Sequence, residues 1–454
     1  MAKAQCDARD LQVGRSILPG FQSLRVALAH HLAGPVTARR LRLLAGFTWL
    51  QAAIQALAAL SGLLLVRVLE KPQFAAYTIA TSLLTTLNVL TDCGIGTGLN
   101  VIGGRVWRDR ALLGALVAGA LRWRTRLACI ALPLGLTLAL VLLRQNHVAW
   151  GQATSLAIVA LAGLAGTAIT NTCALALRFH AKYLEVQRIE LAAVVVRLTL
   201  LISLAFFFID SILAVLAATL AVSLQAFLIR REAASILELN ATPNREQGRE
   251  LGRFVARQWF STAFFAFQGQ ITIWVMSLYG TPEKVAEVGA LGRLAVLFAF
   301  ITSLLNGVAT PTLARCNSHS RLRRLAAAMV LAYALFAGAL LAGTLLFPRH
   351  ILCLLGAKYA GLSQELPLVV GTALIWGLTG VLFGLASARG WIWHAWLSPL
   401  FTLVLQSLLL HWLDLSQVRG VLFFGLVSAL PVLGSVIYMV ARGLAQIRPA
   451  PAAP

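Results

Sequence analysis

Long apolar runs alternate with short polar breaks along most of the chain. A helix needs about 20 apolar residues to cross a bilayer, so each run of that length predicts a membrane span. Helix-breaking or helix-capping residues mark the gaps, among them Pro72, Asp210, Pro282 and Pro348. The pattern predicts an all-α polytopic membrane protein with about twelve transmembrane helices. The predicted spans are 43–67, 75–99, 126–143, 151–175, 190–209, 211–229, 254–279, 286–310, 325–347, 364–387, 391–411 and 420–441.

Three arginines disturb the pattern just before the third span. Arg122, Arg124 and Arg126 interrupt the otherwise apolar stretch 111–143. Because charged side chains favour the membrane surface, we interpret 108–124 as an amphipathic helix that lies in the interface and leads into the span.

The longest internal polar stretch, 229–252, lies midway along the chain and divides the spans into two groups of six. The sequence therefore predicts two six-helix bundles of the same orientation, as in parallel repeats. The predicted divisions are a basic cytoplasmic tail (1–37), an N-terminal bundle (38–230), a cytoplasmic linker (231–253), a C-terminal bundle (254–445) and a disordered tail (446–454).

Composition agrees with the span pattern. Of 454 residues, 59% are hydrophobic and only 12% are charged, which excludes a soluble enzyme, a disordered chain and a disulfide scaffold. The net charge of +22 would suggest a nucleic-acid partner in a soluble protein. The basic residues, however, follow the alternation of the loops, so no nucleic-acid partner is needed.

The distribution of the 38 basic residues predicts the orientation of the chain. One side of the membrane carries 29 of them, and three lie inside spans. By the positive-inside rule, the side with 29 is cytoplasmic and holds both termini. The opposite side carries the other six: Lys71, Arg144, Lys284, Arg349, Lys358 and Arg419.

Motifs for soluble catalysis are missing from the sequence. There is no G-x-x-x-x-G-K-[ST] loop, no C-x-x-C pair and no histidine spacing typical of a metal site, so we predict no cofactor and no metal. The loops on the opposite side are short. The Gly94-Gly96-Gly98 run lies in an apolar helix, where it indicates close helix packing. We therefore predict that the protein is not an enzyme.

Ionisable side chains inside spans are costly and call for an explanation. Arg197 and Arg293 lie deep in the fifth and eighth spans, Arg67 near the end of the first, and Asp92 within the second. One interpretation is structural, with the arginines paired to Asp92 or Glu190. The other is a water-filled cavity whose positive charge binds an anionic substrate.

Four glutamines in equivalent helices of the two halves add to the cavity interpretation. Gln51 and Gln55 share one face of the first span, and Gln268 and Gln270 lie in the seventh. Amides can bind sugar hydroxyls, or they can join helix to helix.

Two segments resemble a known family. In the first, Arg67, Leu69, Phe74, Tyr77, Asp92 and Gly94 match the pattern R-x-L, aromatic, Tyr and D-x-G, with Glu70 and Ala75 where glycine is common. The second half matches through Pro311, Arg315, Pro348, Ile351, Gly356 and Tyr359. These residues resemble the bacterial polysaccharide (O-antigen/exopolysaccharide) flippases of the multidrug/oligosaccharidyl-lipid/polysaccharide exporter superfamily.

The resemblance implies a transporter that flips a polyprenyl-pyrophosphate-linked oligosaccharide across the bacterial inner membrane by alternating access, for O-antigen, capsule or exopolysaccharide assembly. Arg197, Arg293 and Arg67 would hold the pyrophosphate, the four glutamines the sugars, and Asp92 or Glu190 a coupling ion. Expected partners are the lipid-linked oligosaccharide and membrane lipids, with polysaccharide polymerase and chain-length proteins as candidates. A cation-coupled multidrug antiporter and a membrane-embedded glycan polymerase or ligase are the alternatives.

Overall fold

The computed structural model describes residues 35–238, 241–295, 319–388, 391 and 397–446. The chain divides into two compact units, Met1–Ala53 and Ile54–Pro454. The helices are α1 (Pro35–Val68), α2 (Lys71–Asp92), α3 (Ile95–Val106), α4 (Arg110–Gln145), α5 (Trp150–Phe179), α6 (Tyr183–Phe207), α7 (Ser211–Ala233), α8 (Arg245–Gln268), α9 (Ile271–Tyr279), α10 (282–295), α11 (His319–Leu346), α12 (Pro348–Cys353), α13 (Leu366–Ala388), α14 (Leu397–Trp412), α15 (Val418–Ser428) and α16 (Leu430–Gln446).

The predicted fold class is confirmed. Each of the twelve predicted spans has a helical counterpart, although the eighth is described only as far as residue 295. Within the described ranges, nine helices meet the length and hydropathy needed to cross a membrane, and no strand occurs. Almost all of the predicted tail 1–37 lies outside the described residues. The matched residues Pro311 and Arg315 also lie outside them.

Helix ends occur where the sequence predicts them, for local reasons. Asp210 caps α7 by accepting a hydrogen bond from the Leu213 backbone N–H (2.8 Å). Pro72 and Pro348 stand in the first turns of α2 and α12, where a missing N–H costs nothing. In the predicted linker 231–253, α7 ends at Ala233 and α8 begins at Arg245. The domain boundaries themselves stay a prediction.

The predicted interfacial helix 108–124 is wrong. α4 runs without interruption from Arg110 to Gln145, a length of about 54 Å at 1.5 Å per residue. That length exceeds the roughly 30 Å hydrocarbon core, so the helix is long enough to cross the membrane and to extend beyond it on the side with the basic loops. We call this the basic side.

The second span, predicted as one helix, divides into α2 and α3. Cys93 and Gly94 both adopt left-handed backbone conformations, with φ of 37° and 80°. Asp92 accepts a hydrogen bond from the Gly96 N–H (3.3 Å) in the first turn of α3. A Cβ at Gly98 would lie 2.9 Å from Leu251 of α8. The close packing predicted for this glycine run is therefore observed.

The largest apolar cluster contains buried side chains from both halves. Phe74 and Ile79 of α2 contribute, together with Met276 of α9 and Phe424 of α15. Elsewhere large apolar side chains are exposed, as expected for a surface that faces lipid.

Candidate functional site

A cavity of about 590 Å³ lies between helices of the two halves. One wall is α2 from the first half, and the others come from α8, α9, α10, α13 and α15. The polar or aromatic lining side chains are Thr78, Thr81, Ser82, Thr85, Phe265, Gln268, Gln270, Thr272, Arg293, Thr372 and Trp376.

Hydroxyl groups form the α2 wall, because Thr78, Thr81, Ser82 and Thr85 recur at helical spacing on one face. Three of them donate their protons to backbone carbonyls one turn earlier: Thr81 to Tyr77 (2.9 Å), Ser82 to Ile79 (2.8 Å) and Thr85 to Thr81 (2.8 Å). Their oxygen lone pairs can therefore accept hydrogen bonds from a substrate.

A break in the seventh span brings two amides to the cavity. α8 ends at Gln268 and α9 begins at Ile271, so Gly269 and Gln270 lie between helices at the wall. Gln268 is buried and its Oε1 accepts a hydrogen bond from Gln406 Nε2 (2.8 Å). Its amide nitrogen remains a donor.

Arg293 is the only charged side chain among the described residues that line the cavity. Its guanidinium carbon lies 5.6 Å from the centre of the Tyr77 ring, a cation–π distance. Gly62 leaves room for it, because an added Cβ there would lie 3.3 Å from Arg293 Cδ. No carboxylate is present in the described lining.

Arg197 reaches the same tyrosine from α6. Its Nη2 donates a hydrogen bond of 3.0 Å to the Tyr77 hydroxyl, and its Nε is buried with no partner in the described part of the chain. Tyr77 is 1% exposed. The two deep arginines predicted from sequence therefore meet at one aromatic ring, next to Thr78 in the cavity wall.

Arg67 lies away from this cavity. Its Nε and Nη2 donate to the backbone carbonyls of Leu354 (3.0 Å) and Cys353 (2.9 Å), at the end of α12. Lys358 donates in turn to the Arg67 carbonyl (3.1 Å). This guanidinium is used to join the two halves, on the side opposite the basic loops.

Asp92 pairs with Arg124, a residue that we expected at the membrane surface. Arg124 is 4% exposed and its Nη2 donates to Asp92 Oδ1. Glu190, the other predicted ion-coupling residue, is half-buried in α6 with Arg178 as a charged neighbour. Neither carboxylate lines the cavity.

Gln55 of the first span does not line the cavity with the glutamines of the seventh. Gln55 is half-buried and is not among the cavity-lining residues. Gln51 belongs to the separate unit Met1–Ala53. The roles of both residues stay a prediction.

Sequence reasoning missed the α2 hydroxyls, Tyr77 as the meeting point of the arginines, and Trp376. A signal existed for the hydroxyls, because their spacing of three and four residues defines a polar face on a span. In the sequence, Tyr77 is only a matched position of the family pattern. Its contacts with the two arginines could not be predicted from charge, because the tyrosine side chain is neutral.

Comparison with known proteins defines the fold. No protein-family model and no curated protein matches the chain. Solved structures do match. An inward-facing multidrug resistance MATE family transporter of the MOP superfamily is 15% identical, with 87% of this chain and 96% of that chain covered and a TM-score of 0.67. An outward-facing one is 16% identical, with 88% and 95% covered and a TM-score of 0.57.

A third structure, a MOP superfamily transporter from Pyrococcus furiosus, is described by a reverse polarity of its binding pocket that suggests a different function. It is 16% identical, with 90% of this chain and 96% of that chain covered and a TM-score of 0.52. These identities establish the fold alone. The superfamily fold implied by the sequence resemblance is confirmed, whereas the flippase family stays a prediction. The chain has the twelve-helix fold of MATE transporters of the MOP superfamily.

Proposed function

We propose that the protein is a membrane transporter that works by alternating access. Its cavity is lined by helices of both halves, so rocking of the halves would change which side the cavity faces. The localisation that we propose is the bacterial inner membrane, with the basic side in the cytoplasm.

The substrate that the cavity suits best carries a negative charge and many hydroxyl groups. One observation carries this proposal: Arg293 is the only charged group in the described lining, among hydroxyls and amides. The planar guanidinium group of an arginine can donate two hydrogen bonds to phosphate oxygens, and it stays charged. The hydroxyls of α2 offer acceptors, and Gln268 and Gln270 offer amides, for sugar hydroxyls.

The concrete candidate is a polyprenyl-pyrophosphate-linked oligosaccharide, in agreement with the sequence resemblance. Arg293 would bind the pyrophosphate directly, and Arg197 would act through Tyr77. In this proposal Arg67 maintains the contact between the halves instead of binding substrate.

The test is flipping of a fluorescent lipid-linked oligosaccharide in proteoliposomes. Arg293→Ala should reduce the rate about tenfold or more, because one charge-assisted contact to phosphate is lost. Arg293→Lys should retain part of the rate. Arg419→Ala, at an exposed arginine of α15, is the matched control and should leave flipping unchanged. Full flipping by Arg293→Ala would contradict the proposal.

Cation-coupled multidrug antiport is the second candidate. The names of the similar structures favour it over a flippase, since two of the three are multidrug resistance transporters. The cavity opposes it, because a cationic drug gains from a carboxylate and is repelled by Arg293. A drug-susceptibility panel separates the candidates. If the protein is an antiporter of cations, Arg293→Ala should keep or increase drug resistance, and neither the wild-type protein nor the variant should flip the lipid-linked oligosaccharide.

A further inference from the structure

A second cavity contains an incompletely bonded arginine that the transport proposal does not use. Arg124 of α4 is 4% exposed, and its Nη2 donates to Asp92. Its Nε and Nη1 are buried, and neither has a hydrogen-bond partner among the residues that the structure describes. Buried donors without partners cost free energy, so native proteins supply them with an acceptor. The position of this arginine therefore calls for an acceptor from outside the chain.

The space for such an acceptor is a cavity of about 440 Å³ beside Arg124, mainly between α4 and α5. Thr125 of α4 and Ala165 of α5 line it and are exposed. The cavity therefore reaches the outer surface between these two helices. In a membrane that surface faces lipid.

The cavity has a polar end and an apolar end. Arg230, near the end of α7, and Glu238 line it on the basic side. Leu132 and Leu161 line its deeper part. Arg124 and Leu132 are about 12 Å apart along the helix axis at 1.5 Å per residue. A lipid in the leaflet on the basic side has the same arrangement of polar and apolar parts as this cavity, because its headgroup lies toward that side and its acyl chains point into the membrane.

The charges of this cavity balance. Asp92 pairs with Arg124, and the lining contains one further basic and one acidic side chain, Arg230 and Glu238, so the site offers strong donors without net charge. A phosphodiester supplies the acceptor oxygens, and an ammonium group beyond it would meet the carboxylate. A zwitterionic headgroup satisfies both, whereas a free phosphate dianion would bring uncompensated negative charge.

We propose that this cavity binds one phospholipid with a zwitterionic phosphoethanolamine headgroup. The phosphate accepts hydrogen bonds from Arg124 and Arg230, the ammonium group lies at Glu238, and an acyl chain follows Leu132 and Leu161. The site is separate from the transport cavity and does not depend on what is transported.

The test is lipid retention by the purified full chain, measured by native mass spectrometry and by thermal stability in detergent. The probes are dioleoyl phosphatidylethanolamine, dioleoyl phosphatidylglycerol, dioleoylglycerol and inorganic phosphate. We expect one phosphatidylethanolamine per protein and a raised Tm. Dioleoylglycerol, which has the same chains without phosphate, should give neither effect. Equal retention of dioleoylglycerol or phosphatidylglycerol, or equal stabilisation by inorganic phosphate, would overturn the proposal.

Two tryptophan variants locate the lipid without disturbing the Asp92–Arg124 pair. Ala165→Trp fills the cavity mouth and should abolish retention. Ala162→Trp is the matched control, since Ala162 is exposed on the same helix but does not line the cavity, and it should retain the lipid fully. Glu238→Gln should reduce the preference for phosphatidylethanolamine over phosphatidylglycerol. Unchanged retention by Ala165→Trp would show that the lipid binds elsewhere.

Discussion

Arg197 donates a hydrogen bond of 3.0 Å to the Tyr77 hydroxyl, while Arg293 lies 5.6 Å from the centre of the same ring. Two arginines inside a membrane protein would usually need carboxylates. Here a neutral side chain serves both, one through its hydroxyl and one through its π face. Neither arginine forms an ion pair with Asp92 or Glu190, because among the described residues Asp92 is paired with Arg124 and Glu190 is unpaired. The positive charge of the cavity is therefore not cancelled.

Tyr77→Phe should weaken this arrangement without changing the volume of the ring. The Arg197 guanidinium, whose Nε has no partner among the described residues, would lose its bond to the hydroxyl. We expect a loss of about 1–2 kcal/mol in stability, measured by thermal unfolding in detergent. Transport should fall as well, since Arg197 would no longer be held beside the cavity wall.

The matched control for Tyr77→Phe is Tyr438→Phe. Arg442 donates to the Tyr438 hydroxyl at 3.1 Å, but this pair is exposed. The control should change stability by less than about 0.5 kcal/mol and leave transport intact. Equal effects of the two variants would mean that burial of the Arg197–Tyr77 bond adds nothing.

Close approach of α2 and α10 depends on Gly289. An added Cβ there would lie 2.7 Å from the Thr78 side chain, which is β-branched and stiff. Gly289→Ala should therefore destabilise the protein by about 1–3 kcal/mol, and Thr78→Ala in the same chain should recover most of that loss. Gly292→Ala, three residues along α10 with nothing within 4 Å of its added Cβ, should be neutral. Thermal unfolding of Gly289→Ala, Thr78→Ala, the double variant and Gly292→Ala checks this, and additive losses in the double variant would contradict it.

The predicted spans and several of the helix ends could be read from the sequence because their causes are local. A span is defined by its apolar length, and Pro72, Asp210 and Pro348 stop or cap helices whatever they pack against. The break at Cys93 was missed because both neighbouring segments are apolar, so hydropathy does not change across it.

The candidate site was predictable only in part, because burial and pairing depend on which helices meet. Arg122, Arg124 and Arg126 are alike in sequence, yet residues two apart on a helix point about 200° apart. Arg124 therefore turns into the bundle while its two neighbours are exposed. The family resemblance implied that Arg67 holds the pyrophosphate, whereas its Nε and Nη2 donate to carbonyls at the end of α12.

Lys71 and Glu287 join α2 to α10 on the side opposite the basic loops, with an N–O distance of 2.7 Å. Their side chains are 27% and 20% exposed, so neutralising one of them should cost less than about 1 kcal/mol. Glu287→Lys should cost more, since it adds repulsion, and should slow transport. The exchanged pair Lys71→Glu with Glu287→Lys should recover stability and rate. A double variant no better than Glu287→Lys would show that the ion pair does not hold the halves together.

Ionisation of the Tyr359 hydroxyl reports on the surroundings of the Lys71–Glu287 pair. Burial, followed by the negative charge of Glu287, raises the pKa of its hydroxyl to about 12. The folded chain thus holds this proton more tightly than the unfolded chain, whose tyrosines ionise near pH 10. Protonated Tyr359 therefore makes its full contribution to the free energy of unfolding below about pH 10, and that contribution falls as the pH rises toward 12.

Ultraviolet titration of tyrosinate should accordingly show a late component that is absent in Tyr359→Phe. In Glu287→Gln that component should move to lower pH, because the carboxylate no longer opposes ionisation and Lys71, 5.5 Å from the ring centre, becomes unpaired. The pKa should stay above the ordinary tyrosine value, since burial is the larger cause and the substitution leaves it in place. A late component unmoved by Glu287→Gln would mean that the carboxylate does not act on Tyr359 in the folded protein.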